Sequence, residues 1–131
     1  MEMPAVGENS KKILIVEDND DNRDILVYRL KSLGAVDVLE ARNGKEALEI
    51  AAQSRPSLIF MDLKMPVMDG LTATRAIRQE EWGQEIYIIA LTAHAMNEEK
   101  DKALEAGCND LITKPITDYA SIKKRIEELL K

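Results

Sequence analysis

The chain has few of the residues that disulfides, soft metal sites and histidine catalysis require. It contains one cysteine and one histidine among 131 residues, so Cys108 cannot form an intrachain disulfide and His94 has no second histidine beside it. Cys108 has no basic neighbour to lower its pKa, which favours a small structural residue over a redox-active thiol. A chain without disulfides fits a reducing compartment.

Excess positive charge and long apolar runs are missing as well. The formal net charge of −6 argues against direct binding to nucleic acid or to an anionic membrane, because both depend on a basic surface. No apolar run has the length of a membrane span, and the first residues lack the basic and apolar regions of a secretory signal. We therefore expect a cytoplasmic protein with no membrane partner and no direct nucleic-acid partner.

The remaining composition is that of one globular domain. Hydrophobic residues make up 45% of the chain and charged residues 32%, and the length is sufficient for a sizeable core. Residues 1–11 are mostly polar or small and contain Pro4 and Gly7. We expect these residues to form a flexible tail and residues 12–131 to form a single domain.

Apolar segments that resemble strands alternate with amphipathic helical segments five times after the tail, which is typical of a parallel sheet covered on both faces. The first, third and fourth strands are almost wholly apolar, whereas the second alternates and the fifth is short, so the second and fifth should be edges. This pattern predicts a flavodoxin-like, doubly wound α/β fold with strand order 2-1-3-4-5. In the first helix, Ile25, Leu26, Leu30 and Leu33 have the spacing of a face that packs on the sheet.

Polar residues follow four of the five strands directly. They are Glu17-Asp18, Asp62, Thr92 and Lys114-Pro115. Because the carboxyl ends of parallel strands share one edge of the sheet, these side chains should meet in one crevice. Clustered carboxylates resist ionising together unless a cation neutralises them, and oxygen ligands suit a hard ion such as Mg²⁺ or Mn²⁺. With a lysine and a hydroxyl nearby, the crevice indicates a phosphoryl site.

The segments that carry these residues resemble the receiver domain of two-component response regulators. The matching segments are residues 13–19 (ILIVEDN), 61–70 (MDLKMPVMDG), 91–93 (LTA) and 113–115 (TKP). The resemblance implies a switch that accepts a phosphoryl group from a phosphohistidine of a sensor histidine kinase or a histidine phosphotransfer protein. It also implies that the chain is not an enzyme beyond catalysing its own phosphorylation and dephosphorylation.

The resemblance assigns metal and acceptor roles by position. Asp62 corresponds to the phosphoacceptor and to a metal ligand, and Asp18 to a direct metal ligand. Glu17 corresponds to a residue that acts through a metal-bound water. The remaining protein ligand would be the backbone carbonyl of Lys64, so the side chain of that residue should matter little.

Four further positions correspond to the part of the site that stabilises and reports the phosphoryl group. Lys114 resembles the lysine that contacts a phosphoryl oxygen, and Pro115 resembles the proline whose preceding bond is usually cis. Thr92 resembles the hydroxyl residue that swings toward the phosphoryl group. Leu111 stands where many receivers have a tyrosine or phenylalanine that turns inward with the threonine. We therefore expect signalling to depend on displacement of the segment after Thr92 rather than on a rotating ring.

The expected output is a protein interaction, because only a short segment follows Pro115 in the sequence. The resemblance implies that an effector protein reads the face formed by the fourth helix, fifth strand and fifth helix, that phosphorylation produces a homodimer, or that the phosphoryl group passes onward to a histidine in a relay. Two alternatives stay open. One is a docking module that works without phosphorylation, and the other is a metal-dependent phosphatase acting through a phosphoaspartate, which is disfavoured because Lys64 stands where such enzymes have a general acid.

Overall fold

A computed structural model describes residues 12–34, 37–65, 67–94 and 96–129, so the tail predicted at residues 1–11 lies outside the described residues. Strands and helices alternate throughout these ranges. The strands are β1 (Lys12–Val16), β2 (Asp37–Ala41), β3 (Leu58–Asp62), β4 (Tyr87–Thr92) and β5 (Asp110–Thr113). The helices are α1 (Asp20–Ser32), α2 (Gly44–Ser54), α3 (Gly70–Gln79), α4 (Asn97–Ala106) and α5 (Tyr119–Leu129), and a 3₁₀ turn (Glu81–Gly83) follows α3.

The described strands form one parallel sheet in the order β2-β1-β3-β4-β5. This order confirms the predicted flavodoxin-like fold, and it confirms β2 and β5 as the edges. The register pairs Asp62 with Leu91, and it pairs Thr92 with Thr113. The strands therefore finish close together, and the residues that follow them share one edge of the sheet.

Two separate apolar clusters cover the two faces of the sheet. One joins Leu14 and Val16 of β1 to α2, α3 and α4, whereas the other joins Ile13 and Ile15 to α1 and α5. Successive side chains of a strand point to opposite faces, so a strand that contributes to both clusters must be apolar throughout. All residues of β3 are buried for this reason.

The face of α1 that contacts the sheet is narrower than the sequence spacing predicts. Leu26 and Leu30 are 5% and 0% exposed, and Leu33 packs partly buried against the same cluster. Ile25, in contrast, is 55% exposed, so its expected place on the buried face is wrong. Residues four apart share one side of a helix, and Ile25 is turned about 100° away from Leu26.

Short capped connections join the strands to the helices that follow them. Asn19, Asn43 and Asp69 each accept a hydrogen bond at the helix N-terminus, from the backbone N–H of Asn22, Glu46 and Thr72 at 2.9, 2.9 and 2.8 Å. These caps satisfy N–H groups that a helix cannot pair internally. The loops that precede α1, α2 and α3 are consequently held at both ends. None of the described helices has the length and apolar character needed to span a membrane.

Candidate functional site

Three acidic side chains converge at the carboxyl edge of the sheet. Glu17 and Asp18 follow β1 directly, and Asp62 is the last residue of β3. Each offers a carboxylate oxygen that lies within 4.8 Å of the other two. Glu17 and Asp62 are 3% and 4% exposed, whereas Asp18 faces solvent. The sequence prediction that these acids meet is therefore satisfied by the structure.

Backbone groups orient two of these carboxylates. Oε2 of Glu17 accepts a hydrogen bond from the backbone N–H of Asn19 at 3.1 Å, and Oδ1 of Asp62 accepts one from the backbone N–H of Lys64 at 3.2 Å. Lys64 borders the crevice, and its side chain is exposed to solvent. The role of the backbone carbonyl of Lys64 as a metal ligand stays a prediction.

The close approach of α3 to β3 fixes the position of Asp62. Gly70 begins the helix, and its N–H donates to the carbonyl of Leu63 at 3.2 Å. A Cβ at position 70 would lie 2.3 Å from the backbone oxygen of Asp62 and 2.9 Å from Cα of Leu63. Those distances are far below van der Waals contact, so a glycine is required there.

Lys114 crosses the crevice from the end of β5 and contacts both buried acids. Its Nζ lies 3.0 Å from Oε1 of Glu17 and 3.3 Å from Oδ2 of Asp62. The backbone N–H of Lys114 donates to the carbonyl of Thr92 at 2.7 Å, and the bond to Pro115 is cis, as the family resemblance implies. Burial lowers the pKa of Lys114, but its hydrogen bond to Glu17 and the charge of Asp62 outweigh that effect and raise the pKa overall. The ammonium therefore remains charged.

Thr92 is the last residue of β4 and lines the crevice. Its side chain is 2% exposed, and Oγ1 accepts a hydrogen bond from the backbone N–H of His94 at 3.1 Å. The imidazole of His94 is exposed and is not part of the acidic group found in the described residues. His94 therefore lies in the loop after β4, outside the group of acidic side chains.

The crevice between these residues has a volume of about 290 Å³. Asn19 and Asn22, from the start of α1, also line it, and sequence reasoning did not single out Asn22. It lies in the first turn of the helix that follows Glu17 and Asp18, which is the signal that could have identified it. An adjoining groove of about 380 Å³ between α1 and α5 includes the exposed Ile25 and Pro115, so the crevice continues into an apolar surface.

A second residue missed by sequence reasoning is Arg23. It lies in the second turn of α1, is 9% exposed, and donates from NH1 to the backbone carbonyl of Glu17 at 2.8 Å. Burial lowers the pKa of Arg23, and hydrogen bonds to Asp20 and Glu40 more than compensate, so the pKa is raised. Nothing in a single sequence distinguishes a buried arginine from an exposed one on a charged helix.

The donor set fits a hard divalent cation. Three carboxylates and one ammonium leave a formal excess of two negative charges in a largely buried crevice. Such an excess is stabilised by a bound cation, and oxygen donors without sulfur or imidazole select ions such as Mg²⁺ or Mn²⁺. The carboxylates of Glu17, Asp18 and Asp62 could hold such an ion.

The comparison with protein-family models decides the family. The model described as the response regulator receiver domain matches residues 13–127. The chain belongs to this receiver domain family. A receiver domain is a signalling domain of two-component systems, and the family indicates no conventional enzyme activity.

Curated relatives of the receiver domain differ greatly in length. The chain is 48% identical to hybrid signal transduction histidine kinase G of Dictyostelium discoideum over 107 residues, which cover 80% of this chain and 3% of the kinase. It is 36% identical to the polar-differentiation response regulator DivK of Brucella anthropi, with 82% of this chain and 86% of DivK covered. The chain therefore spans a small part of some relatives and most of others.

Solved structures resemble the receiver domain along most of its length. The receiver domain of the sensor histidine kinase PA1611 from Pseudomonas aeruginosa has a TM-score of 0.82 and 37% identity, and 92% of this chain and 98% of that chain are covered. That structure holds a magnesium ion in its active site cleft. The receiver domain of Ssk1 from Saccharomyces cerevisiae, crystallised with the histidine phosphotransfer protein Ypd1, has a TM-score of 0.81 and 38% identity, with 90% and 88% covered.

Proposed function

We propose that this receiver domain is a phosphorylation-dependent switch of a two-component phosphorelay and that Asp62 is the phosphoacceptor. One observation carries the proposal. The carboxylates of Glu17, Asp18 and Asp62 lie within 4.8 Å of one another while Nζ of Lys114 lies 3.3 Å from Asp62. This arrangement supplies a nucleophile, a cation site and a second positive charge in one crevice.

The reaction follows from the contacts of Asp62. A carboxylate oxygen attacks phosphorus, the bond from phosphorus to the imidazole nitrogen of the donor breaks, and its electron pair stays on that nitrogen. The product is an acyl phosphate on Asp62. Lys114 donates to the phosphoryl oxygens as negative charge develops on them, and the N–H of Lys64 orients the attacking group.

A bound Mg²⁺ or Mn²⁺ would supply positive charge next to the phosphoryl oxygens, which lowers the repulsion between an anionic nucleophile and an anionic group. We assign Asp18, Asp62 and the backbone carbonyl of Lys64 as its protein ligands and Glu17 as a ligand through water. The magnesium ion in the PA1611 receiver structure supports this assignment. Asn22 borders the same space and contributes a polar amide to its wall.

The conformational response would begin at Thr92 and pass into α4. Among the described residues, none caps the N-terminus of helix α4 with its side chain, whereas the C-terminus is held through Gly107, whose carbonyl accepts from Nε of Arg78 at 2.8 Å. Leu111 is partly buried against the core beneath this region. These contacts support a shift of the segment after Thr92 as the readout, because that end of α4 has fewer restraints.

The proposed partners are a sensor histidine kinase or a histidine phosphotransfer protein as donor and an effector protein as reader. The relation to a hybrid kinase and the complex of Ssk1 with Ypd1 support the donor class. For the effector we propose the face of α4, β5 and α5, where Leu104 is 45% exposed and a pocket of about 240 Å³ lies between β5 and α5. Phosphorylation-dependent homodimerisation through this face and a cytoplasmic location belong to the same proposal.

The test is incubation with Mg²⁺ and acetyl phosphate, followed by intact mass measurement. We expect the unsubstituted chain to gain the mass of one phosphoryl group and Asp62→Asn to gain none. Asp21→Asn is the matched control, because it removes one exposed carboxylate from α1 without changing the crevice. A phosphate adduct that persists in Asp62→Asn would exclude Asp62 as the acceptor.

The docking alternative keeps one specific observation in its favour. Leu111 occupies the position of the usual aromatic switch residue and packs partly buried against the core. A docking module that ignores phosphorylation would bind its partner equally well before and after treatment with acetyl phosphate. The proposed switch requires the affinity to change in the unsubstituted chain and to stay constant in Asp62→Asn.

A further inference from the structure

We propose that Arg23 is a positioning residue for the acidic crevice. It holds the peptide between Glu17 and Asp18 in the orientation that lets the carboxylate of Asp18 reach a shared cation. The inference rests on the proposed function, because it concerns the cation site of that function. It assigns a role to a residue outside the crevice, which contacts neither the cation nor the phosphoryl group.

The contact itself is a buried, charge-assisted hydrogen bond. NH1 of Arg23 donates to the backbone carbonyl of Glu17 at 2.8 Å, and the residue is 9% exposed. Arginine is rarely buried, and burying its charge is unfavourable unless the guanidinium is paired on most sides. A guanidinium in this position therefore needs several partners, and the structure provides them.

Two carboxylates complete the surroundings of the guanidinium. NH2 of Arg23 lies 2.5 Å from Oδ1 of Asp20, and Nε lies 3.2 Å from Oε1 of Glu40. Asp20 is in the first turn of α1, and Glu40 is in the edge strand β2. The rigid fork of Arg23 thus links the β1–α1 loop, the helix and the edge strand at one point.

The backbone of Glu17 needs this link because the sheet ladder ends beside it. The N–H of Glu17 donates to the carbonyl of Ala41 at 3.0 Å, and Ala41 is the last residue of β2. The carbonyl of Glu17 therefore lies past the end of the neighbouring strand, and Arg23 takes the place of a ladder donor. A buried carbonyl is normally paired, so this hydrogen bond also satisfies it.

Asp18 depends on the backbone more than the other two acids do. Glu17 and Asp62 each accept hydrogen bonds from a backbone N–H and from Lys114. Among the described residues, none donates a hydrogen bond to the carboxylate of Asp18. The place of that carboxylate is consequently set by the peptide that precedes it, which is the peptide that Arg23 holds.

The effect of Arg23 on the cation site is geometric rather than electrostatic. Its positive charge is matched by Asp20 and Glu40, which together carry one more formal charge than the guanidinium. Removing Arg23 would leave two unpaired carboxylates near the crevice, and that extra negative charge would attract a cation. If replacing Arg23 lowers the affinity of the crevice for a cation, the loss would therefore have to come from misplaced ligands.

The experiment measures Mn²⁺ binding to the unphosphorylated chain by the electron paramagnetic resonance signal of free Mn²⁺. We expect Arg23→Met, which keeps the apolar stem and removes every donor, to weaken binding by about tenfold, as is typical when a residue that orients a ligand is lost. Arg42→Met is the matched control, because the side chain of Arg42 is 68% exposed and forms a surface ion pair with Glu46. It should bind Mn²⁺ like the unsubstituted chain.

Urea unfolding without metal separates positioning from folding. If Arg23→Met unfolds at lower urea but binds Mn²⁺ with unchanged affinity, Arg23 is structural and the inference is overturned. If Arg23→Met does not fold, Arg23→Lys is the deciding variant, because an ammonium cannot engage Glu17, Asp20 and Glu40 together. Weaker Mn²⁺ binding by Arg23→Lys than by the unsubstituted chain supports the inference. Equal Mn²⁺ binding overturns it. Failure of the unsubstituted chain to bind Mn²⁺ would overturn the proposed function together with the inference.

Discussion

Single positions in this molecule act through the backbone as much as through side chains. Gly70 is the clearest example, because its missing Cβ leaves room for the backbone of Asp62 and Leu63. Gly34 is a useful contrast, since it has a positive φ of 106° but, its chain neighbours aside, no atom of the described residues lies within 4 Å of the place that a Cβ would occupy. Glycine is required at position 70 because a Cβ there would clash with backbone, and at position 34 because the backbone has a positive φ.

Gly70→Ala should therefore destabilise the chain and impair the site together. Overpacking against backbone typically costs about 1–3 kcal/mol, and relief of the clash would displace Asp62. We expect a lower urea midpoint and slower phosphorylation by acetyl phosphate, followed by intact mass. Gly34→Ala should lower stability by about 1 kcal/mol through its strained φ while leaving phosphorylation unchanged. Equal slowing in both variants would contradict the contact argument.

Cys108 links stability to alkaline pH. The side chain is 5% exposed, and burial raises the pKa of its thiol, although a hydrogen bond with Thr74 and the charge of Arg78 oppose the shift. The expectation that Cys108 has no basic neighbour is therefore wrong, because the fold brings Arg78 close to it from a distant part of the sequence. The unfolded thiol ionises near its ordinary value of 9.0. The folded state retains the thiol proton to higher pH than the unfolded state does. The contribution of the protonated thiol to stability is therefore complete below pH 9.0 and falls as the pH rises toward the folded pKa.

Replacing the thiol should remove this part of the pH dependence. As pH rises above the ordinary thiol value of 9.0, we expect the free energy of unfolding of the unsubstituted chain to fall more steeply than that of Cys108→Ala. Urea unfolding at a series of pH values measures both slopes. Since other groups also titrate in this range, the informative quantity is the difference between the two chains. Parallel curves would show that Cys108 ionises equally in both states.

Helix α4 is restrained unequally along its length. At its C-terminus, the N–H groups of Gly107 and Cys108 donate to the carbonyls of Leu104 and Ala103 at 3.1 and 2.9 Å. Arg78 adds a hydrogen bond to the carbonyl of Gly107 at 2.8 Å. At the N-terminus, none of the described side chains caps the helix, so that end has fewer restraints than the other.

Hydrogen exchange should reveal this difference. We expect the amides of residues 97–101 to exchange faster than those of residues 102–106, and we expect phosphorylation to change the first group more. Mass spectrometry of exchanged peptides with and without acetyl phosphate measures both effects, and Asp62→Asn supplies the unphosphorylated control. Identical exchange around residues 92–106 in phosphorylated and unphosphorylated chains would reject the proposed readout through α4.

The charge of the crevice affects the stability of the whole fold. Glu17, Asp18 and Asp62 come from two strand ends, and Lys114 from a third, so folding brings like charges together. An ion that binds only the folded chain shifts the equilibrium by mass action. The proposed metal binding would therefore be coupled to folding.

Added MgCl₂ should accordingly raise the free energy of unfolding, by about 2.7 kcal/mol when its concentration is a hundred times the dissociation constant. Asp18→Asn should show a smaller increase, because it loses a charged ligand, and NaCl at matched ionic strength controls for screening. Urea unfolding at several MgCl₂ concentrations provides the measurement. An equal increase with NaCl, or in Asp18→Asn, would mean that Mg²⁺ does not act at this site.

Much of this fold follows from local patterns along the chain. Wholly apolar strands, amphipathic helices and turn residues predict the doubly wound sheet and its edges, because each pattern involves neighbours within a few residues. The strand ends also predict which polar residues share one edge, since parallel strands finish on the same side. Family motifs then suggest a role for each of them. The order of strands and the convergence of Glu17, Asp18 and Asp62 agree with these predictions.

Other features depend on contacts between distant segments, and local patterns carry no information about them. Lys114 meets Glu17 across 97 positions of the chain, and their separation depends on the sheet register. Packing of α1 against β1 and β2 buries Arg23 and leaves Ile25 exposed, although both lie on one charged helix. Periodicity places a residue on a helix face, but the face that is covered depends on the angle at which the helix meets the sheet.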